Sequence, residues 1–198
     1  MSTVVVPFRG TDPKRRLDPL PEPARRRLAT AMLDDVLAAA AAVGDVVVVA
    51  PEDPESDVPT LVVPDPRRGQ GAAVRDALDA AVAAGLPAPY LVVNADLPCV
   101  TPRDLLALAG AVPADGIAVA AAEDGTTNAL GLARADLFEP VYGPGSADRF
   151  AALAPSLRVD APNLVDDVDV PNDLRRLRDR LGRHTRAAVT ALRLGAAA

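Results

Sequence analysis

The chain has 198 residues, of which 49% are hydrophobic and 3% aromatic, and its formal net charge is -6. That length suits one domain with a full core. The acidic balance excludes a general nucleic-acid binder, so an anionic ligand must be drawn in by a local cation cluster or a metal. Cys99 is the single cysteine, which excludes an internal disulfide, and no apolar run approaches membrane-spanning length. A soluble, cytoplasmic protein without membrane contact is expected.

Thr3 to Val6 reads as a first strand, and the loop after Pro7 collects Arg9, Lys14, Arg15 and Arg16. Lys14 is the only lysine among the 21 basic residues. A compact ammonium on a flexible stem suits a phosphate that changes geometry, and a basic loop after the first strand of an α/β domain is a natural place for a triphosphate. Glu22 to Val43 has Leu28, Met32, Val36 and Leu37 at helical spacing, with Gly44 placed to end the helix. Val46 to Ala50 is an unbroken apolar run, as in a strand buried on both faces, and Thr60 to Val63 is a shorter strand.

Gly69 to Ala84 is predicted as a helix opening on Gly69-Gln70-Gly71, with Gln70 a candidate for contact with a nucleotide base. It lacks the Gly-Lys-Ser/Thr ending of a P-loop. Tyr90 to Asn94 is a further buried strand, with Asp96 just past its end. Thr101-Pro-Arg-Asp104 reads as a helix start with a capping box. Ile117 to Ala121, Ala129 to Leu132 and Leu157 to Val159 read as strands, Ser146 to Leu153 and Pro171 to Arg180 as helices. Residues 1–181 are assigned to the domain, and 182–198 to a flexible C-terminal tail. Strands alternating with helices predict an α/β domain, a mostly parallel central sheet with helices on both faces. Ligands then bind beyond the carboxyl ends of the strands, which places the loop after Pro7, Asp96 and the loop after Val168 along one edge.

Two acidic groups stand out there. Asp96, followed by Leu97-Pro98, has no helix-capping duty because Thr101 caps the next helix, and a carboxylate so placed suits a divalent cation. Asp166-Asp167-Val168-Asp169 brings three acids together, which is costly without a cation, and alternation puts Asp167 and Asp169 on one face. N-capping by Asp169 or Asn172 is the competing reading, and Asp173 looks like a first-turn acid only. Asp124-Gly-Thr-Thr-Asn128 and Gly143-Pro-Gly-Ser146 are polar loops able to hold a carboxylate or phosphate, or to serve as plain turns. Nucleophile chemistry has little support: Cys99 has no partner base, since His184 is the only histidine, and no Gly-x-Ser-x-Gly elbow occurs.

Taken in order, Val5-Val-Pro7, Lys14-Arg-Arg-Leu17, Ala29-Thr-Ala-Met-Leu-Asp-Asp-Val36, Asn94-Ala-Asp-Leu-Pro98, Gly125-Thr-Thr-Asn-Ala-Leu130, Gly143-Pro-Gly-Ser146 and Asp167-Val-Asp-Val-Pro-Asn-Asp-Leu174 resemble one family. The resemblance is to the phosphoenolpyruvate / 2-phospho-L-lactate guanylyltransferases of coenzyme F-420 biosynthesis, with the nucleotidyltransferase A-like fold. It implies magnesium on Asp96 and Asp169, with Lys14 and Arg16 completing the catalytic set. It implies that Lys14 and Arg16 contact the triphosphate of GTP, and that Thr127, Gly143 and Ser146 bind a phosphorylated three-carbon acid; Pro7, Arg9, Lys14, Gly69, Gln70 and Gly71 are the candidate nucleotide-binding residues. The next transferase of the pathway is the expected partner, and a homodimer is left open. The chain departs from the family at Gly69 to Ala73 and at Phe150, where the family usually has histidine. Another MobA-like nucleotidyltransferase and an inactive GTP-binding regulator are the alternative readings.

Overall fold

The structure is a computed structural model that describes residues 1–10, 17, 20–54, 56–65 and 67–192. Its centre is a seven-stranded sheet built from β1 (Ser2–Pro7), β2 (Gly44–Ala50), β3 (Leu61–Pro64), β4 (Tyr90–Val93), β5 (Ile117–Ala121), β6 (Thr127–Leu132) and β7 (Ser156–Arg158). The order is β3-β2-β1-β4-β6-β5-β7. Only β6 runs against the others, pairing antiparallel with both β4 and β5. The helices are α1 (Glu22–Ala41), α2 (Gln70–Ala83), α3 (Pro102–Gly110), α4 (Ser146–Ala151), α5 (Pro162–Val165), α6 (Pro171–Arg176) and α7 (Arg183–Ala191).

The valine runs explain the layering. Successive side chains of a strand point to opposite faces. Val4 and Val6 therefore join Val46 and Val48 in a core under α1, α3 and α5. Val5, Val47 and Val49 join the opposite core, under α2 and α4. Val4, Val5 and Val6 are all fully buried, as a central parallel strand requires.

Gly44 does not end a helix as expected. It is the first residue of β2, paired in register with Ser2. A Cβ there would lie 1.7 Å from the Ser2 carbonyl oxygen, so the glycine is demanded by close approach of two strands. Similarly, α6 stops at Arg176, short of the expected Arg180, and the short α5 lies where no helix is expected. The capping box is present as read: Thr101 N–H donates to Asp104 Oδ2 at 2.9 Å, and Asp104 N–H to Thr101 Oγ1 at 3.4 Å. Asp104 also accepts from Asn163 at 3.0 Å. Replacing Asp104 with Ala is expected to cost about 1–2 kcal/mol, seen as a lower urea midpoint at unchanged m-value.

Part of the segment expected to be a flexible tail is helical. Arg183–Ala191 form α7, which packs on α1 and buries Thr185, Ala188 and Val189. Its anchor is Asp35 of α1, 5% exposed, whose two carboxylate oxygens accept the N–H groups of His184 and Thr185 at 2.9 Å each. A helix N-terminus offers orphan amides, and a buried carboxylate satisfies two of them. Among the described residues, no helix is long and apolar enough to cross a membrane.

Candidate active site

A cleft of about 740 Å³ opens beyond the carboxyl ends of β1, β2 and β4. That size falls within the roughly 300–1,000 Å³ of small-molecule sites. Its lining includes Pro7 at the end of β1 and Arg9 after it, Gly69 and Gln70 at the start of α2, Asp96 after β4, and Asp169. These residues, all named from the sequence, lie along the expected edge. Lys14 and Arg16 lie outside the described residues. Gly71 does not line the cleft. A Cβ on it would lie 2.4 Å from Pro140 Cβ, so this glycine lets α2 approach the chain near Pro140.

The acidic centre has three members. Asp96, Asp167 and Asp169 each offer a carboxylate oxygen, and these oxygens lie within 4.8 Å of one another. All three residues are partly buried. Hard oxygen donors so gathered are suited to a divalent metal ion. The sequence resemblance names only Asp96 and Asp169 as ligands, although strand alternation puts Asp167 beside Asp169.

The backbone holds this trio together. Val168 N–H donates to the Asp96 carbonyl at 3.0 Å, tying the segment after β4 to the segment before α6. Asp173 does more than sit in a first turn. Its Oδ2 accepts the N–H groups of Asp169 and Val170 at 3.0 and 2.9 Å, so Asp173 carries the capping duty and Asp169 does not. Arg176 bridges the flanks, binding Asp166 and, at 3.3 Å, Asp173, while Arg180 also binds Asp166. Burial opposes ionisation of Asp166, but hydrogen bonds from Arg180 and Arg176 outweigh it and hold its carboxyl below the usual range.

Arg67, which opens the Arg67-Arg-Gly-Gln-Gly71 stretch, is also a cleft residue. Its backbone is left-handed (φ 54) and its N–H is held by Asp65 Oδ1 at 2.8 Å. Asn94 closes an expected strand and opens the Asn94-Ala-Asp-Leu-Pro98 motif. Its Oδ1 accepts from Gln70 at 2.9 Å and its Nδ2 donates to the Thr127 carbonyl at 3.2 Å, so it joins the cleft wall to β6.

Thr127 and Ser146 come together: their hydroxyl oxygens are 2.9 Å apart. Both residues are buried and neither lines the cleft, the pair lying behind Asn94. Gly143, three residues before Ser146, has φ 108, open to glycine and strained for other residues. Asp124 accepts the Thr126 N–H and hydroxyl at 2.9 and 2.6 Å. Phe150 is fully buried, with its ring 5.9 Å from Phe138 and 5.1 Å from Tyr142. At that position the chain places a core aromatic.

The sheet order, the cleft at its carboxyl edge and the acidic trio define a nucleotidyltransferase, and residues 23–153 match the MobA-like NTP transferase domain. Within that class, the chain belongs to the phosphoenolpyruvate / 2-phospho-L-lactate guanylyltransferase family. It is 37% identical to the 2-phospho-L-lactate guanylyltransferase of Natrialba magadii, over 86% of this chain and 80% of that protein. It is 38% identical to the phosphoenolpyruvate guanylyltransferase of Geodermatophilus obscurus, over 93% of this chain and 92% of that one. The fold is similar to that of 2-C-methyl-D-erythritol 4-phosphate cytidylyltransferase from Thermus thermophilus, with TM-score 0.58, 18% identity, and 88% and 96% of the two chains covered.

Proposed function

We propose that this enzyme transfers GMP from GTP to the phosphate of phosphoenolpyruvate or 2-phospho-L-lactate, releasing pyrophosphate, as a step of coenzyme F-420 biosynthesis in the cytoplasm. The observation that carries the reading is the convergence of Asp96, Asp167 and Asp169 within 4.8 Å, with Asp96 and Asp169 lining a cleft edged by the β1 loop. A phosphate oxygen of the acceptor attacks the α-phosphorus of GTP in line. A new P–O bond forms, the bond to pyrophosphate breaks, and no enzyme nucleophile is required because an ionised phosphate is already nucleophilic. Catalysis is then positioning and charge stabilisation.

Each residue has a duty in this scheme. Asp96 and Asp169, joined by Asp167, hold the divalent cation, taken to be magnesium. When bound, that cation supplies neutralisation of phosphate charge. Arg9, Lys14 and Arg16 of the β1 loop hold the triphosphate, and Lys14 and Arg16 stabilise the departing pyrophosphate. Pro7, Gly69 and Gln70 shape the nucleotide side of the cleft. Thr127, Gly143 and Ser146 hold the acid. The product, an activated acid, is passed to a further transferase.

The test is pyrophosphate release from GTP with magnesium, run separately with phosphoenolpyruvate, 2-phospho-L-lactate and 3-phospho-D-glycerate, with ATP as control donor. Release with one of the first two acids and GTP, and none without divalent cation, is expected. Equal rates with ATP would overturn the guanylyl assignment, and turnover only with 3-phosphoglycerate would overturn the acceptor.

A further inference from the structure

The loop from Val141 to Ser146 is gathered onto one guanidinium. Arg149 donates from Nε and Nη2 to the Val141 carbonyl at 3.1 and 2.9 Å, from Nη2 to the Tyr142 carbonyl at 3.1 Å, and from Nη1 to the Pro144 carbonyl at 2.6 Å. The carbonyls of Val141, Tyr142 and Pro144 therefore all turn toward one cation.

Their orientation has a geometric consequence. In a trans peptide the C=O of one residue and the N–H of the next point in opposite directions. With the Tyr142 and Pro144 carbonyls on Arg149, the N–H groups of Gly143 and Gly145 face away from it. Among the described residues neither N–H makes a hydrogen bond. Both glycines have positive φ, 108 and 69, and although Pro144 between them has no N–H, backbone amides turned outward by such a loop suit an anion. The far side of the loop is tied to the sheet, through the hydroxyls of Ser146 and Thr127 and through Ala147 N–H to the Gly125 carbonyl at 3.3 Å.

We infer that Arg149 is a positioning residue for the acceptor: it fixes the loop so that the Gly143 and Gly145 amides, turned away from the guanidinium, are held ready for the phosphorylated acid. The inference rests on the reading of Thr127, Gly143 and Ser146 as the acceptor site. Arg149 acts through the loop: four of its five N–H groups are used on these carbonyls. Lysine carries the same charge but lacks the planar fork needed to serve all these carbonyls together.

The experiment compares Arg149→Ala and Arg149→Lys with the wild-type chain, alongside Ser146→Ala and Thr127→Ala. KM for phosphoenolpyruvate and 2-phospho-L-lactate, KM for GTP and kcat are measured, and acceptor binding is followed by calorimetry well below each variant's Tm. The alanine variant is expected to raise the acceptor KM by about tenfold or more, with GTP KM within about twofold and kcat within about threefold. Arg149→Lys is expected to recover less than half of that loss, and it serves as the probe if the alanine variant does not fold. An unchanged acceptor KM in a folded Arg149 variant, or a proportional rise in both KM values, overturns the inference. If Ser146→Ala and Thr127→Ala also leave the acceptor KM unchanged, or the wild-type chain binds neither acid, the acceptor-site reading falls and the inference with it. If those variants raise KM and the Arg149 variants do not, only the role of Arg149 is lost.

Discussion

Asp96→Asn is expected to lower turnover by about 10³-fold, equivalent to about 4 kcal/mol of transition-state stabilisation, while leaving the fold intact. The substitution keeps the side chain's size and removes one charge from a trio whose oxygens lie within 4.8 Å. It leaves untouched the backbone bond from Val168 to the Asp96 carbonyl, so the two ligand-bearing segments stay tied. The measurements are pyrophosphate release, Tm, and binding of manganese followed by electron paramagnetic resonance. Loss of turnover and of manganese binding at unchanged Tm is the expected result. A variant with near-normal rate would remove Asp96 from the metal site. Asp169→Asn should behave alike, since Asp173 and not Asp169 caps α6.

Asp35→Ala carries the largest expected effect on stability. It removes the acceptor of two N–H groups, from His184 and Thr185, at a site 5% exposed. Buried donors left without a partner cost about 1–3 kcal/mol each, so a loss of about 3 kcal/mol, or about 6–12 °C in Tm, is expected. Deleting residues 183–198 should cost stability too, and in the deleted chain the same substitution should have little further effect. Additive losses would mean that Asp35 does not act through α7. Gly182→Ala belongs with it, because a Cβ there would lie 2.3 Å from Asp35 Cγ.

Local patterns make much of this protein readable. The apolar runs at Val46 to Ala50 and Tyr90 to Asn94 fix which strands are buried on both faces, because only a central strand can hide both sets of side chains. Thr101-Pro-Arg-Asp104 is legible because a capping box is closed within one short segment. Asp96 is legible because it follows a buried strand at the ligand edge of an α/β sheet, and Asp169 because it belongs to an acidic run just before a helix. Asp167 is within reach by alternation, but one strand cannot tell which of its neighbouring acids faces a carboxylate from a different part of the chain.

Where local patterns mislead, the partner is distant. The roles of Gly44 and Gly71 are set by Ser2 and Pro140, and nothing in the local sequence separates a glycine needed for close packing from one that ends a helix or faces a ligand. The segment after Gly182 is short, basic and alanine-rich, and by propensity alone the 9-residue helix α7 is marginal. It becomes a helix because Asp35, 150 positions before Thr185, caps its start.

Architecture, family and the sheet edge where the cleft opens are all readable from the chain alone, since hydrophobic period and motif order are properties of neighbouring residues. Which acids converge, which hydroxyls meet and which arginine folds the Gly143 loop emerge only on folding. Those features depend on contacts between segments far apart in the chain, such as the Thr127 and Ser146 hydroxyls 2.9 Å apart, and no local pattern encodes the meeting of two segments.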